Sequence, residues 1–219
     1  MSAQTFHRRT LPLLALLALF SLGIVKAWSQ ESLPDTAAAH LGRGYDALKQ
    51  DRYDAAVAEF RAALAADPGV SLRARFPLAV ALFELHKSDQ ARHELQLVRR
   101  EVGDHPNVFY YLGRLDLDDH QYASAIRNLT QAAAKPPFPD TAYYLGYACL
   151  KQGNLAAAEK WLKEASRLTP HDARVPYQLG LVYRKQGREQ EAAKTLALSE
   201  ELRQRDSIQS RLRMECRQK

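Results

Sequence analysis

Cysteine is nearly missing from this 219-residue chain: Cys149 and Cys216 are its two, far apart and in no CxxC pair. Neither lies beside a histidine at metal-ligand spacing, so no disulfide framework or zinc site is expected. The seven histidines (His7, His40, His86, His93, His105, His120 and His171) include no two that are three or four residues apart. No HExxH, phosphate-binding glycine loop, GxSxG or GxGxxG motif occurs, and carboxylate pairs such as Asp118-Asp119 fall in expected turns. These absences predict a chain that is not an enzyme and carries no cofactor. Alternation of β-branched residues is also lacking, which argues against a sheet.

Charge of one sign is lacking where a nucleic-acid surface would need it. The net charge is +6, but residues 30–202 hold 22 basic and 23 acidic side chains. The excess sits at the ends: Arg8, Arg9 and Lys26 at the start, and Arg203, Arg205, Arg211, Arg213, Arg217 and Lys219 at the finish. A nucleic-acid binder concentrates its basic residues on the folded face, so no nucleic-acid partner is expected.

Long apolar runs are missing with one exception, Leu11–Val25 (LPLLALLALFSLGIV). As a helix it would span roughly 22 Å, short of the ~30 Å hydrocarbon core of a membrane. His7, Arg8 and Arg9 precede it and small residues follow, the layout of a secretory signal peptide over residues 1–29. Cleavage could follow Ala27 (Val-Lys-Ala) or Ser29 (Ala-Trp-Ser). Arg8-Arg9-Thr10-Leu11 resembles the twin-arginine motif, but the leucine-rich run suits the general secretory route better. The expected location is periplasmic or secreted. The alternative is an uncleaved anchor that holds the chain on a membrane, facing outside the cytoplasm; only then would it contact a membrane.

What the sequence has in quantity is helix-forming residues and a period. An alanine recurs at Ala56, Ala91, Ala125, Ala158 and Ala192, at spacings of 33 to 35. Four residues after each stands a large apolar residue: Phe60, Leu95, Leu129, Leu162 and Leu196. Twelve before each stands a small one: Gly44, Ala79, Gly113, Gly146 and Gly180. Leu78, Leu112, Leu145 and Leu179 precede four of these, and Pro68, Pro137 and Pro170 close three units. Within each unit two apolar blocks at helical spacing are separated by a turn such as Lys151-Gln152-Gly153-Asn154. Glycine or a small polar residue there is expected to end the first helix in a left-handed cap. The small slots let two helix backbones approach, and the large ones fill the space between them.

This pattern resembles the tetratricopeptide repeat. It runs from residue 37 to about 205 in five units: 37–70, 72–105, 106–138, 139–172 and 173–205. The third to fifth carry the motif best, in Phe109-Tyr110-Tyr111-Leu112-Gly113, Tyr143-Tyr144-Leu145-Gly146 and Tyr177-Gln178-Leu179-Gly180. The second is degenerate, with Pro77 inside its first helix and Ala79 in place of glycine. The fold class expected is an all-α solenoid of about five helix-turn-helix repeats, closed by a polar capping helix and basic tail over 200–219.

The resemblance implies that the first helix of each unit lines a concave wall and that a protein or peptide partner binds there. The candidate ladder is Phe76, Tyr110, Tyr143 and Tyr177, with Arg114 and Tyr147 one turn along and Arg184 a turn further. Tyrosine offers contact area and a hydroxyl, and arginine adds carboxylate or cation–π contacts. The same rings could instead serve packing between repeats.

Overall fold

The computed structural model describes residues 36–136 and 138–217. The expected leader over residues 1–29 and the closing Pro137 lie outside them. The described residues form ten α-helices and one 3-10 turn, with no strand among them. The helices pair as α1 (Ala37–Lys49) with α2 (Tyr53–Ala66), α3 (Ser71–Glu84) with α4 (Ser88–Val102), and α5 (Pro106–Asp118) with α6 (Tyr122–Ala133). They continue as α7 (Thr141–Gln152) with α8 (Leu155–Leu168) and α9 (Arg174–Lys185) with α10 (Glu189–Arg217). The chain is the expected all-α solenoid.

Each pair closes on the recurring slots. Ala56, Ala91, Ala125 and Ala158 have no exposed surface, and Phe60, Leu95, Leu129 and Leu162 have none either. The fit is tight: a Cβ on Gly146 would stand 2.7 Å from Leu162 Cγ, and one on Gly113 would stand 2.6 Å from Leu129 Cγ. At Gly113, Gly146 and Gly180 a leucine of the second helix thus occupies the space a side chain would need, whereas the second pair accommodates Ala79 opposite Leu95. Leu196, in the last pair, is only half-buried; among the described residues no further pair packs on α10.

The turn inside each pair is the same structure five times over. Asp51, His86, His120, Gly153 and Gly187 all have positive φ, between 54° and 88°. The amide of the next residue reaches back across the turn: Arg52 to Ala47 O, Lys87 to Leu82 O, Gln121 to Asp116 O, Asn154 to Cys149 O and Arg188 to Tyr183 O, at 2.7–2.9 Å. This is the two-bond Schellman closure, which satisfies carbonyls that the helix end would otherwise orphan. Only two of the five turns use glycine. The others hold aspartate or histidine in a conformation that disfavours a side chain.

The first helices α1, α3, α5, α7 and α9 each touch the next in the series, whereas no comparably close pairs link the second helices. The array therefore curves with the first helices on its inner wall. Pro77 does not break α3, which runs unbroken through it with Pro77 buried. The polar segment expected from Glu200 has no separate start: it continues α10, and Leu202 is the last buried residue among those described.

The core is divided along α5. Val108, Leu112 and Leu115 pack with the first two pairs, and Phe109, Tyr110 and Leu117 with the last three, while Tyr111 touches both groups. A polar bridge ties the two parts. Arg92 of α4 donates to Asp116 and Asp119 at 2.7 Å each, and Asn128 of α6 donates to the other oxygen of Asp116 at 2.7 Å. Asp116 is 4% exposed, and both of its oxygens are satisfied.

Candidate functional site

A cleft of about 380 Å³ opens on the inner wall, where the third and fourth pairs meet. Glu84 at the end of α3 forms one rim. Tyr110, Tyr111 and Arg114 rise from α5. Phe138, Pro139 and Asp140 come from the α6–α7 loop, Thr169 and Asp172 from the α8–α9 loop, and Arg174 from the first turn of α9. These segments come together because successive inner helices stack, bringing loops some 30 residues apart to the same height.

Tyr110 is tilted by 47° against Phe138 at 4.6 Å and meets Tyr111 and Tyr144 edge to face at 5.2 Å and 6.0 Å, centre to centre. Tyr111 meets Phe83 at 5.3 Å and Phe76 at 5.8 Å. Such T-shaped contacts place the positive edge of one ring on the negative face of another. Burial raises the phenols of Tyr110 and Tyr111, the latter to about 12, so both stay neutral.

Two arginines are set into this aromatic frame. Arg174 grips Asp172 through Nη2 at 2.7 Å and donates through Nη1 to the Tyr144 hydroxyl at 3.3 Å. Its guanidinium centre is 4.7 Å from the Tyr143 ring. Arg114 lies 3.9 Å from the Tyr144 centroid and 5.0 Å from that of Phe83. Its Nη1 donates to the Tyr110 hydroxyl at 2.9 Å, which in turn donates to Asp140 Oδ1 at 3.0 Å. Arginine over an aromatic face is stabilised by the ring quadrupole, most strongly where water is reduced.

The candidate ladder is therefore not a row of free rings. Tyr110 and Tyr143 are 4% and 8% exposed, wedged between successive inner helices, because a ring at that slot fills the gap left by the neighbouring helix. Phe76 is half-buried beside Tyr111. Tyr147 stacks on Tyr143 at 6.3 Å, one turn beyond the cleft, with Lys151 Nζ 5.2 Å from its centroid. Tyr177 is 41% exposed and lines a second, smaller cleft of about 180 Å³ with Tyr143, Arg174, Gln178, Ser199 and Arg203. Arg184 lies in neither. Of the seven candidates, Tyr110 and Arg114 line the larger cleft.

Tyr111, Tyr144, Phe138, Arg174 and Glu84 escaped the periodicity argument. Tyr111 and Tyr144 sit one residue past the ladder slot, and the doubled tyrosines in both motifs were the available signal. Phe138 belongs to a loop, where no helical period applies. Among the described residues no group of three histidine, cysteine, aspartate or glutamate side chains could hold a metal ion. No described helix is long and apolar enough to cross a membrane.

Helical pairs stacked at a period near 34, with an open inner wall lined by rings and cations, define a helical-repeat interaction fold. The chain belongs to the tetratricopeptide repeat family: models of that repeat match residues 47–115, residues 22–71 with 110–173, and residues 173–206. Tetratricopeptide-repeat proteins are generally non-catalytic and bind protein partners. Cilia- and flagella-associated protein 70 from Homo sapiens and from Macaca fascicularis is 36% identical over 85 residues, 39% of this chain. The match spans 8% of the length of those relatives. Among solved structures, MamA (41-end) from Desulfovibrio magneticus RS-1 superposes with a TM-score of 0.68 at 20% identity, covering 77% of this chain and 95% of that one. MamA MSR-1 gives 0.66 at 22% identity, covering 78% and 98%. At these identities the likeness is one of fold.

Proposed function

We propose that this chain is a non-catalytic scaffold that holds a protein or peptide partner in the inner-wall cleft between α5, α9 and the α6–α7 loop, and that it works outside the cytoplasm. The observation that carries the binding part is the cleft itself. Half-buried rings of Tyr111 and Phe138 line it beside the guanidinium groups of Arg114 and Arg174. Rigid rings give contact area at small entropy cost, and the arginines add directional donors, the combination enriched at binding hot spots.

Replacing Phe138 and Tyr111 together by alanine tests this reading with the full chain as bait in its native envelope fraction. Partner capture should be lost while far-ultraviolet circular dichroism keeps its helical form. Capture at undiminished affinity by a folded double variant would place the binding surface elsewhere.

The export part rests on the basic start and short apolar run of residues 1–25. The mass of the mature chain tests it: loss of about 27 to 29 residues fits a cleaved signal. Retention of the whole leader would mean a membrane-tethered scaffold instead.

A further inference from the structure

Beyond Leu202, α10 leaves the array. Its described residues 203–216 are all exposed, and they touch the other helices only through polar side chains: Arg203 lies over the Tyr177 ring, and Arg205 donates to His171 Nδ1 at 3.1 Å. A helical extension of this length, with no packing of its own, is marginal in water. One flank of it carries two apolar side chains, Ile208 and Leu212, 55% and 54% exposed. Helical spacing puts Arg205 and Glu215 on that same flank, so it reads Arg205, Ile208, Leu212, Glu215 at steps of three, four and three residues. That alternation is the spacing of a helix-pairing seam. Arg203, Arg211, Arg213 and Met214 point to the other sides of the helix. The extension therefore lacks the broad apolar face, opposite a basic one, by which a helix lies on a membrane surface.

We propose that this seam pairs with the same seam of a second copy of the chain, the two α10 extensions running antiparallel. The order of the seam complements its own reverse. Turned end for end, Arg205 meets the second copy's Glu215 and Ile208 meets its Leu212, and each contact forms twice about a two-fold axis. A symmetric interface has to be self-complementary in this way. Both charged residues are available for it. Glu215 has no cation within ion-pair distance among the described residues, and Arg205 gives His171 one of its five donors. A parallel pair would instead set arginine against arginine and glutamate against glutamate, which is unfavourable. The antiparallel pair also keeps the two Cys216 residues about 18 Å apart along the axis, too far for a disulfide. Because Leu202 precedes the seam, the two arrays stand at opposite ends of the paired helices.

The test is sedimentation equilibrium of the full-length chain over roughly 10 μM to 0.5 mM, the range suited to a short interface. All variants keep the same N-terminus, so differences between them report the extension. The parent chain should show a concentration-dependent monomer–dimer equilibrium. Ile208→Asp should weaken it about tenfold or more, with unchanged melting because the site is exposed in the monomer. Arg205→Glu and Glu215→Arg should each weaken the dimer about fivefold, since either change sets two pairs of like charges face to face. Combining the two restores opposite charges across the seam and should recover parental dimerisation. A combined variant as weak as either single one would overturn the antiparallel pairing, as would ready oxidation to a dimer linked through Cys216. A parent chain that stays monomeric, or a dimer indifferent to Ile208→Asp, would overturn the proposal altogether. A monomer that floats with phosphatidylserine vesicles, and loses flotation on Ile208→Asp, would give the extension to a membrane surface instead.

Discussion

The Tyr45 hydroxyl donates to the Arg73 carbonyl oxygen at 2.7 Å, and Arg73 stands four residues before Pro77 in α3. In an uninterrupted helix that carbonyl would accept from the amide of residue 77, which proline does not have. A side chain from the preceding pair thus supplies the donor that the sequence removed, and α3 keeps its course through the proline. The same contact joins the first pair to the second.

This relationship predicts a coupling. Tyr45→Phe should lower stability by about 0.5–1 kcal/mol, as expected for a neutral hydrogen bond at a partly exposed site. In a Pro77→Ala background, residue 77 has its own amide, and the cost of Tyr45→Phe should fall by about half or more. Chemical denaturation of the four chains closes the cycle. Equal costs in both backgrounds would mean that the tyrosine does not stand in for the missing amide.

The left-handed turns give a second prediction. His86 has a φ of 56° and is exposed, so its side chain gains little from a conformation that sterics disfavour. Gly153 and Gly187 show what the same turn looks like without a Cβ. His86→Gly should raise stability by about 0.5–1 kcal/mol, the relief of strain less the extra freedom of the unfolded chain. The midpoint of urea unfolding should move up with an unchanged slope.

The fold was legible because the same slots recur: a buried alanine such as Ala125, a leucine such as Leu129 and the glycine it presses, Gly113, state one packing rule several times. The cleft was less legible. Tyr110 and Tyr111 are adjacent in sequence and both apolar-rich, and only the angle between stacked helices decides that one is buried while the other bridges two parts of the core. Phe138 enters from the segment between pairs and Arg174 from the very start of α9, where spacing between repeats carries no instruction about direction. The shape of α10 was hidden for another reason: beyond Leu202 its described residues are exposed and touch the array only through polar side chains such as Arg203 and Arg205, so composition suggested a separate cap where the helix simply continues.

Asp116 supplies a third prediction. It lies where Leu82, Cys149 and Tyr183 stand in other pairs, yet it is a buried acid held by Arg92 and Asn128. Removing one member of a buried charged set leaves the rest desolvated and unpaired. Asp116→Ala should therefore destabilise the chain by about 3 kcal/mol. Replacing Asp116, Arg92 and Asn128 together by apolar residues of similar volume should recover much of that loss. The effect should fall on the joint between α4 and α5, so amides of the first two pairs should exchange faster than those of α7 and α8. Uniform acceleration across all five pairs would show that the bridge does not act locally.

Glu159 sets the expected response to acid. The Lys163 ammonium, at 2.7 Å, together with Gln186 and Arg188, lowers its carboxyl from 4.5 to about 2 against the opposing effect of burial. A carboxyl lowered in the folded state contributes its full stabilisation above its unfolded value and loses it as the pH falls toward the folded one. The window is therefore from about 4.5 down to about 2. Gln186 and Arg188 belong to the turn between α9 and α10, so this carboxylate fastens the last pair to α8. Below pH 4.5 the last pair should loosen before the rest, seen as faster amide exchange in α9 and the start of α10. Glu159→Gln should show that loosening already at neutral pH, and its stability relative to the parent chain should converge with it as the pH approaches 2. A constant difference across the window would mean that ionisation of Glu159 does not hold this joint.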